Sequence, residues 1–295
     1  MSFVSFVDVK NENNIEQDLK NSLKLIDFAF ARTTRKIVIK PNMCYYWDYS
    51  TGQTTDPRFV GSLITLIRET VPNAEITLVE SDASAMKCKY AFKVLGYKKL
   101  SEDYNVKLVN LAEDQTENVT TTIFGHEFNL KLPNTIKTAD LRINVPKPKY
   151  MNKTTITCSL KNIFGCNPEP LKSKLHPMLD EAIIAINQIM KFNLNILDGI
   201  RVGGVSARKL NLIMASQDPV SFDAAAAKIM GENPRKIRHL KLAEKQGLGK
   251  IDFCAKGDDI RIFEKLYPKR KASSKFLAKG YKAAIKVGLL KTDLL

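Results

Sequence analysis

Short runs of apolar, β-branched residues alternate with longer stretches of helical period along nearly the whole chain, and this alternation constrains the fold most. Phe3–Val9, Lys36–Lys40, Glu75–Glu80, Val106–Leu111, Leu141–Val145, Leu194–Asp198, Leu210–Ala215 and a weaker Asp252–Ala255 predict strands. Helical patterns lie between and after them, over Asn14–Phe28, Asp56–Val71, Ser84–Asp103, Pro177–Phe192, Val220–Met230 and Pro234–Gln246. Strands such as Lys36–Lys40 and Asn195–Asp198 are too apolar to keep one face in water. The expected fold is therefore α/β, a mostly parallel sheet covered by helices on both faces and joined by right-handed crossovers. Only residues 118–132 break the rhythm: Thr120–Phe124, the turn Gly125-His126 and Glu127–Leu132 predict an inserted β-hairpin.

A chain of 295 residues with 44% hydrophobic content can bury a sizeable core, which excludes disorder as its main state. No run approaches the roughly 20 apolar residues of a membrane span, and Met1–Lys10 lacks the pattern of a signal peptide, so a cytoplasmic protein is expected. The five cysteines (Cys44, Cys88, Cys158, Cys166, Cys254) are scattered and lack C-x₂-C spacing. Neither a disulfide framework nor an iron–sulfur cluster on this chain is expected. The net charge is +15, and residues 263–295 hold nine Lys or Arg against two acids. The reading is one large domain over residues 1–262 and a basic tail over 263–295. Within the tail, Phe276–Leu290 predicts an amphipathic helix with Lys275, Lys279, Lys282 and Lys286 in one stripe.

In parallel α/β sheets ligands lie beyond the carboxyl ends of the strands, and those ends are rich in functional side chains here. Lys40, Lys147, Lys149 and Lys161 supply positive charge for an anion, with Asn42, Thr55, Ser159 and Asn162 as orienting groups. Asp56, Glu80, Asp82, Asp198, Asp218 and Asp223 are carboxylates that can move a proton or hold a divalent metal. Asp56-Pro57 and Asp218-Pro219 also read as N-caps with Pro at the first helical position, and His176-Pro177 as a third helix start of this kind. Of the histidines, His126 falls in the hairpin turn and His239 on a basic helix, while His176 follows Lys172 and Lys174 and is the acid–base candidate. Cys158 and Cys166 bracket the Lys161 segment, where a nearby ammonium can lower a thiol pKa.

The ordered set Lys40-Pro41-Asn42, Thr55-Asp56-Pro57, Glu80-Ser81, Asn144-Val145-Pro146-Lys147 and Ser159 to Gly165 resembles the family called domain of unknown function 362. Lys174-Leu175-His176, Asp198-Gly199, Ser216 to Val220, Asp223, Gly231 and Ala243 to Gly249 extend the resemblance, which spans roughly residues 30–260. It implies a prokaryotic α/β protein, some of whose relatives carry a ferredoxin-like iron–sulfur segment. This chain departs from the pattern in the aromatic loop after Cys44 and in Lys147-Pro148-Lys149-Tyr150, where relatives commonly have a histidine nearby.

Together these features predict an enzyme that binds a small anionic metabolite, a carboxylate or phosphate ester, at the strand ends. Asp56, Glu80, Asp218, Asp223 and His176 are the catalytic candidates. Lys40, Asn42, Thr55, Lys147, Lys149, Ser159, Lys161 and Asn162 are the binding candidates. The alternatives are a redox accessory protein working with an iron–sulfur partner, as the fused relatives imply, and a nucleic-acid binder using the tail and the Arg235–Lys245 helix. For the tail helix, docking on the body or on a partner, including a second copy of the chain, is preferred over a membrane surface.

Overall fold

The computed structural model describes residues 1–12, 15–203 and 207–269. The first half runs β1 (Ser2–Asp8), α1 (Ile15–Leu25), β2 (Lys36–Pro41), α2 (Pro57–Thr70), β3 (Glu75–Glu80), α3 (Cys88–Val94), α4 (Tyr97–Tyr104) and β4 (Lys107–Asn110). Then come a hairpin of β5 (Thr116–Ile123) and β6 (His126–Pro133), the one-turn α5 (Asn134–Lys137) and β7 (Leu141–Val145). A small hairpin of β8 (Lys149–Met151) and β9 (Thr155–Thr157) leads into α6 (Ser159–Phe164) and α7 (Leu179–Met190). The rest is β10 (Leu194–Val202), β11 (Arg208–Ser216), α8 (Pro219–Ile229), α9 (Arg238–Lys245), β12 (Phe253–Gly257) and α10 (Ile260–Leu266).

All eight predicted strands enter one sheet, in the order β12-β1-β11-β10-β7-β2-β3-β4. Its pairings are parallel except those of β11, which runs antiparallel to both β1 and β10. The period-2 alternation sorts side chains to two cores. Ile37, Ile39, Ile143, Val145 and Ile196 pack under α1 to α4, while Val38, Val79, Leu197 and Met214 pack under α6 to α9. Each fully buried Ile or Leu contributes about 2 kcal/mol, so both faces must be covered, as the apolar strands require. The hairpin β5–β6 sits where residues 118–132 predict it, extended by two residues at its start and one at its end. Among the described residues no helix is long and apolar enough to cross a membrane.

Four expectations need correction. β10 does not stop at Asp198-Gly199 but runs on to Val202, and it pairs antiparallel with β11 rather than parallel. The helix expected over Ser84–Asp103 is two helices, because Gly96 takes a φ of 82°, a left-handed conformation that ends α3 and starts α4. His176-Pro177 does not open α7, since both residues belong to a 3-10 turn over Lys172–Met178 that precedes it. The Ser159 motif, taken as a strand-end segment, is itself the helix α6. The tail helix lies outside the described residues.

Candidate functional site

The carboxyl ends of β2, β3 and β7 stand side by side, and the loops that leave them bring most of the candidate side chains together. Lys40 and Asn144 are register partners, as are Asn144 and Asn195, so one polar row crosses the sheet under α6. Asn144 Nδ2 donates to Ser159 Oγ at 3.0 Å and to Asn195 Oδ1 at 3.0 Å, and Asn162 Nδ2 donates to Asn144 Oδ1 at 2.7 Å. Ser159 Oγ donates to Asn195 Oδ1 at 2.6 Å. The Asp223 carboxylate of α8 accepts from the backbone N–H groups of Ser159 (2.6 Å) and Leu160 (3.1 Å), which α6 cannot satisfy within itself. Burial pushes the Asp223 carboxyl up to about 7 against the pull of those two N–H groups. Ser159, Asn162 and Asp223 thus fasten α6 to the sheet.

Two of the four lysines expected to hold an anion are already neutralised. Lys40 Nζ lies 2.7 Å from Glu80 Oε2, both side chains almost fully buried, and Glu80 Oε1 accepts from the Ser81 N–H at 2.9 Å. Lys147 Nζ lies 3.2 Å from Asp198 Oδ2, and both are 1% exposed. Burial lowers the Lys147 pKa, and the Asp198 charge opposes that. The same Asp198 oxygen accepts from the Asp56 N–H at 2.8 Å, which ties β10 to the start of α2. Asp56 caps α2 through the Arg58 N–H and holds the Arg58 guanidinium at 2.7 Å, so its carboxylate is occupied too. Thr55 Oγ1 donates to the Val145 carbonyl at 2.8 Å and accepts from the Asn42 N–H at 2.9 Å, locking two loops together.

Asp218 does not join this group. Because β11 is antiparallel, it delivers Ser216 and Asp218 toward the amino end of β1, where Asp218 accepts from Ser2 Oγ (2.7 Å), the Lys250 N–H (2.9 Å) and the first turn of α8. A Cβ on Gly249 would fall 1.9 Å from Asp218 Oδ1, so the glycine is needed for this close approach. Asp218 is a cap and a loop anchor.

Lys149, Lys161 and Lys172 remain, with Lys153 beside them, and among the described residues none of the four pairs with a carboxylate. Lys149 Nζ donates to Asn42 Oδ1 at 3.2 Å and to the Gln53 carbonyl at 3.0 Å. Lys172 Nζ donates to Ser81 Oγ at 3.3 Å and to the Asp82 carbonyl. Burial lowers the pKa of each. Among the described residues Lys161 Nζ has no hydrogen-bond partner, and it sits 4.0 Å from the Phe164 ring centroid. Burial, then the charges of Lys149, Lys172, Lys40 and Lys153, push its amine down to about 7. The residue as a whole keeps part of its surface in solvent.

His176 Nδ1 lies 3.1 Å from Lys153 Nζ, and burial with the Lys153 and Lys161 charges pushes its ring down to about 4. His239, placed by the sequence on a basic helix, is fully buried, and burial and the Lys161 charge bring it to about 4. The idea of activated thiols is overturned: burial raises Cys158 well above an ordinary thiol, and Cys166 to about 12. Among the described residues no three His, Cys, Asp or Glu side chains gather as a metal ion would need. Sequence reasoning missed Lys153, Lys172 and Asn195 as members of the cluster and held Asn144 only as part of a strand-end motif. A signal existed for the asparagines, since a polar side chain inside an apolar strand must find a buried partner.

Of solved structures, the lactate racemase apoprotein from Thermoanaerobacterium thermosaccharolyticum is similar at 13% identity and a TM-score of 0.45, over 83% of this chain and 57% of that one. A thylakoid-associated protein of Synechocystis sp. is 29% identical over 138 residues, 42% of this chain and 42% of that protein. The alignment therefore spans less than half of that curated relative. The model of the family described as Domain of unknown function (DUF362) matches residues 37–228, about two-thirds of the chain and the stretch that holds Lys40, Lys147, Lys161 and Asp223; the chain belongs to that family.

Proposed function

We propose that the chain binds a small anionic metabolite, a carboxylate or a phosphate ester, beyond the carboxyl ends of β2, β3 and β7. The reading rests above all on one observation: Lys149 and Lys172 lie close enough to act on the Lys161 charge, and among the described residues none of the three pairs with a carboxylate. Holding like charges together in a partly desolvated place costs free energy, and a bound anion offsets that cost. Lys172 spends two of three N–H donors on neutral oxygens, which leaves one for a ligand, while Lys149 bonds Asn42 and Gln53 and also feels the Cys44 thiol beside it. Lys40, Lys147, Glu80, Asn162 and Ser159 take a different part in this reading from the one their types suggest. They build the floor on which the free lysines stand. The nucleic-acid alternative gains less support from the Arg235–Lys245 helix, where Arg235 pairs with Asp252, and Arg238 with Asp180 and Glu181.

A thermal-shift titration of the full chain with inorganic phosphate, acetate and citrate tests the reading. At least one of these anions is expected to raise the melting temperature, and Lys149→Met or Lys161→Met to abolish the response. Equal responses in the wild type and both variants would place any anion elsewhere.

A further inference from the structure

Among the described residues Cys44 and Cys254 are partly exposed free thiols, and the other candidate nucleophiles are more enclosed. Cys88, Cys158 and Cys166 are buried with raised pKa values, and His239 is wholly enclosed. Lys161 differs from all of these. Among the described residues its amine makes no hydrogen bond and lies against the Phe164 ring, the residue is partly open to solvent, and Lys149 and Lys172 lie close enough to act on its charge.

We infer that Lys161 forms an imine with an anion that carries a carbonyl group, the 2-oxo acid class or an aldehyde of similar size. This rests on the anion-binding reading above and adds a reaction to it. Lys149 and Lys172 hold the anionic end, which presents the carbonyl carbon to Lys161 Nζ. The nitrogen lone pair adds to that carbon, the carbonyl oxygen takes protons and leaves as water, and the C=N bond forms. Amine and carbonyl thus become imine and water, with no oxidant or reductant. A lysine becomes nucleophilic when burial and neighbouring cations keep part of it neutral. With its pKa near 7, roughly half of the Lys161 amine is neutral at neutral pH. Among the described residues the charges that act most on it are those of Lys149, Lys172, Lys40 and Lys153, and the neutral rings of His176 and His239 lie close enough to feel its charge.

The test is reductive trapping on the full chain, with glyoxylate as the carbonyl anion and cyanoborohydride as reductant, read by peptide mass mapping. Lys161 is expected to be modified about tenfold or more faster than the surface lysines. Its rate should climb as pH rises through about 7, fall in excess inorganic phosphate, and fall when Lys149 or Lys172 is replaced by Met. Lys161→Arg should remove the fast phase and leave the rest. Even labelling across all lysines overturns the imine. If phosphate still raises the melting temperature in that case, the anion site stands without it. If both the fast phase and the phosphate response are missing, the two readings fall together.

Discussion

At Lys161 a single amine serves binding at a cost in stability. Its pKa is depressed in the folded chain from 10.5 to about 7, so between those values the folded chain holds fewer protons than the unfolded one. By linkage, stability then rises with pH across that window and the cost is full below it. Lys161→Met should flatten this dependence and raise the melting temperature near pH 6.5 by about 2–4 °C, the equivalent of about 1 kcal/mol in a chain of this class. The same variant should lose anion affinity by about tenfold to a hundredfold, the value of one charged hydrogen bond. Calorimetry of both quantities on one sample checks the pair, and a variant that binds normally but melts lower would make Lys161 a packing residue. Anion binding favours the charged amine, so affinity should fall as pH rises through about 7, with proton uptake on binding near that pH. Imine formation needs the neutral amine and runs with the opposite slope, so the two steps separate by pH.

Elements meet at α6, a helix of six residues that depends on its neighbours for its first N–H groups. Asp223→Leu leaves the Ser159 and Leu160 N–H groups buried and unpaired, which should cost about 2–4 kcal/mol in chemical denaturation. Asp223 itself has a raised pKa, so its folded form holds a proton that the unfolded chain has released between 3.8 and about 7. The stability it confers is therefore lost as pH rises through about 7, and Asp223→Asn should remove that slope. The Lys40–Glu80 pair links β2 to β3 beneath the same helix. Glu80→Gln strands a buried ammonium and should cost about 3–5 kcal/mol, whereas the double change Lys40→Met with Glu80→Leu should recover most of it. A double variant as unstable as the single one would show that packing around the pair, not its charge, matters.

Across the molecule, β7 and β10 lie inside the sheet, whereas β12 and β4 form its edges and the β5–β6 hairpin makes a sheet of its own. Amide exchange should be slowest in Ile143–Val145 and Asn195–Leu197, where both faces are covered, and fastest in β5 and the outer edge of β12. Protection in β5 equal to that in β7 would contradict this ordering. The sheet draws on residues from Ser2 to Gly257, so exchange at its centre should report global unfolding rather than that of one segment.

The amino-acid sequence by itself determined the eight strands, the covering of both faces and the inserted hairpin, because hydrophobic period and β-branched composition are local properties. It also marked the lysines and carboxylates at the strand ends. What only the tertiary structure decided is which of these charges remain free. Lys40 and Glu80 stand forty positions apart and Lys147 and Asp198 fifty-one, and no local pattern says that they pair. Nor does local pattern give the direction of β11: its composition suits a parallel or an antiparallel strand equally, yet its direction alone moves Asp218 away from the other candidates. Charge pairing and strand direction depend on contacts between distant segments, and those exist only once the chain has folded.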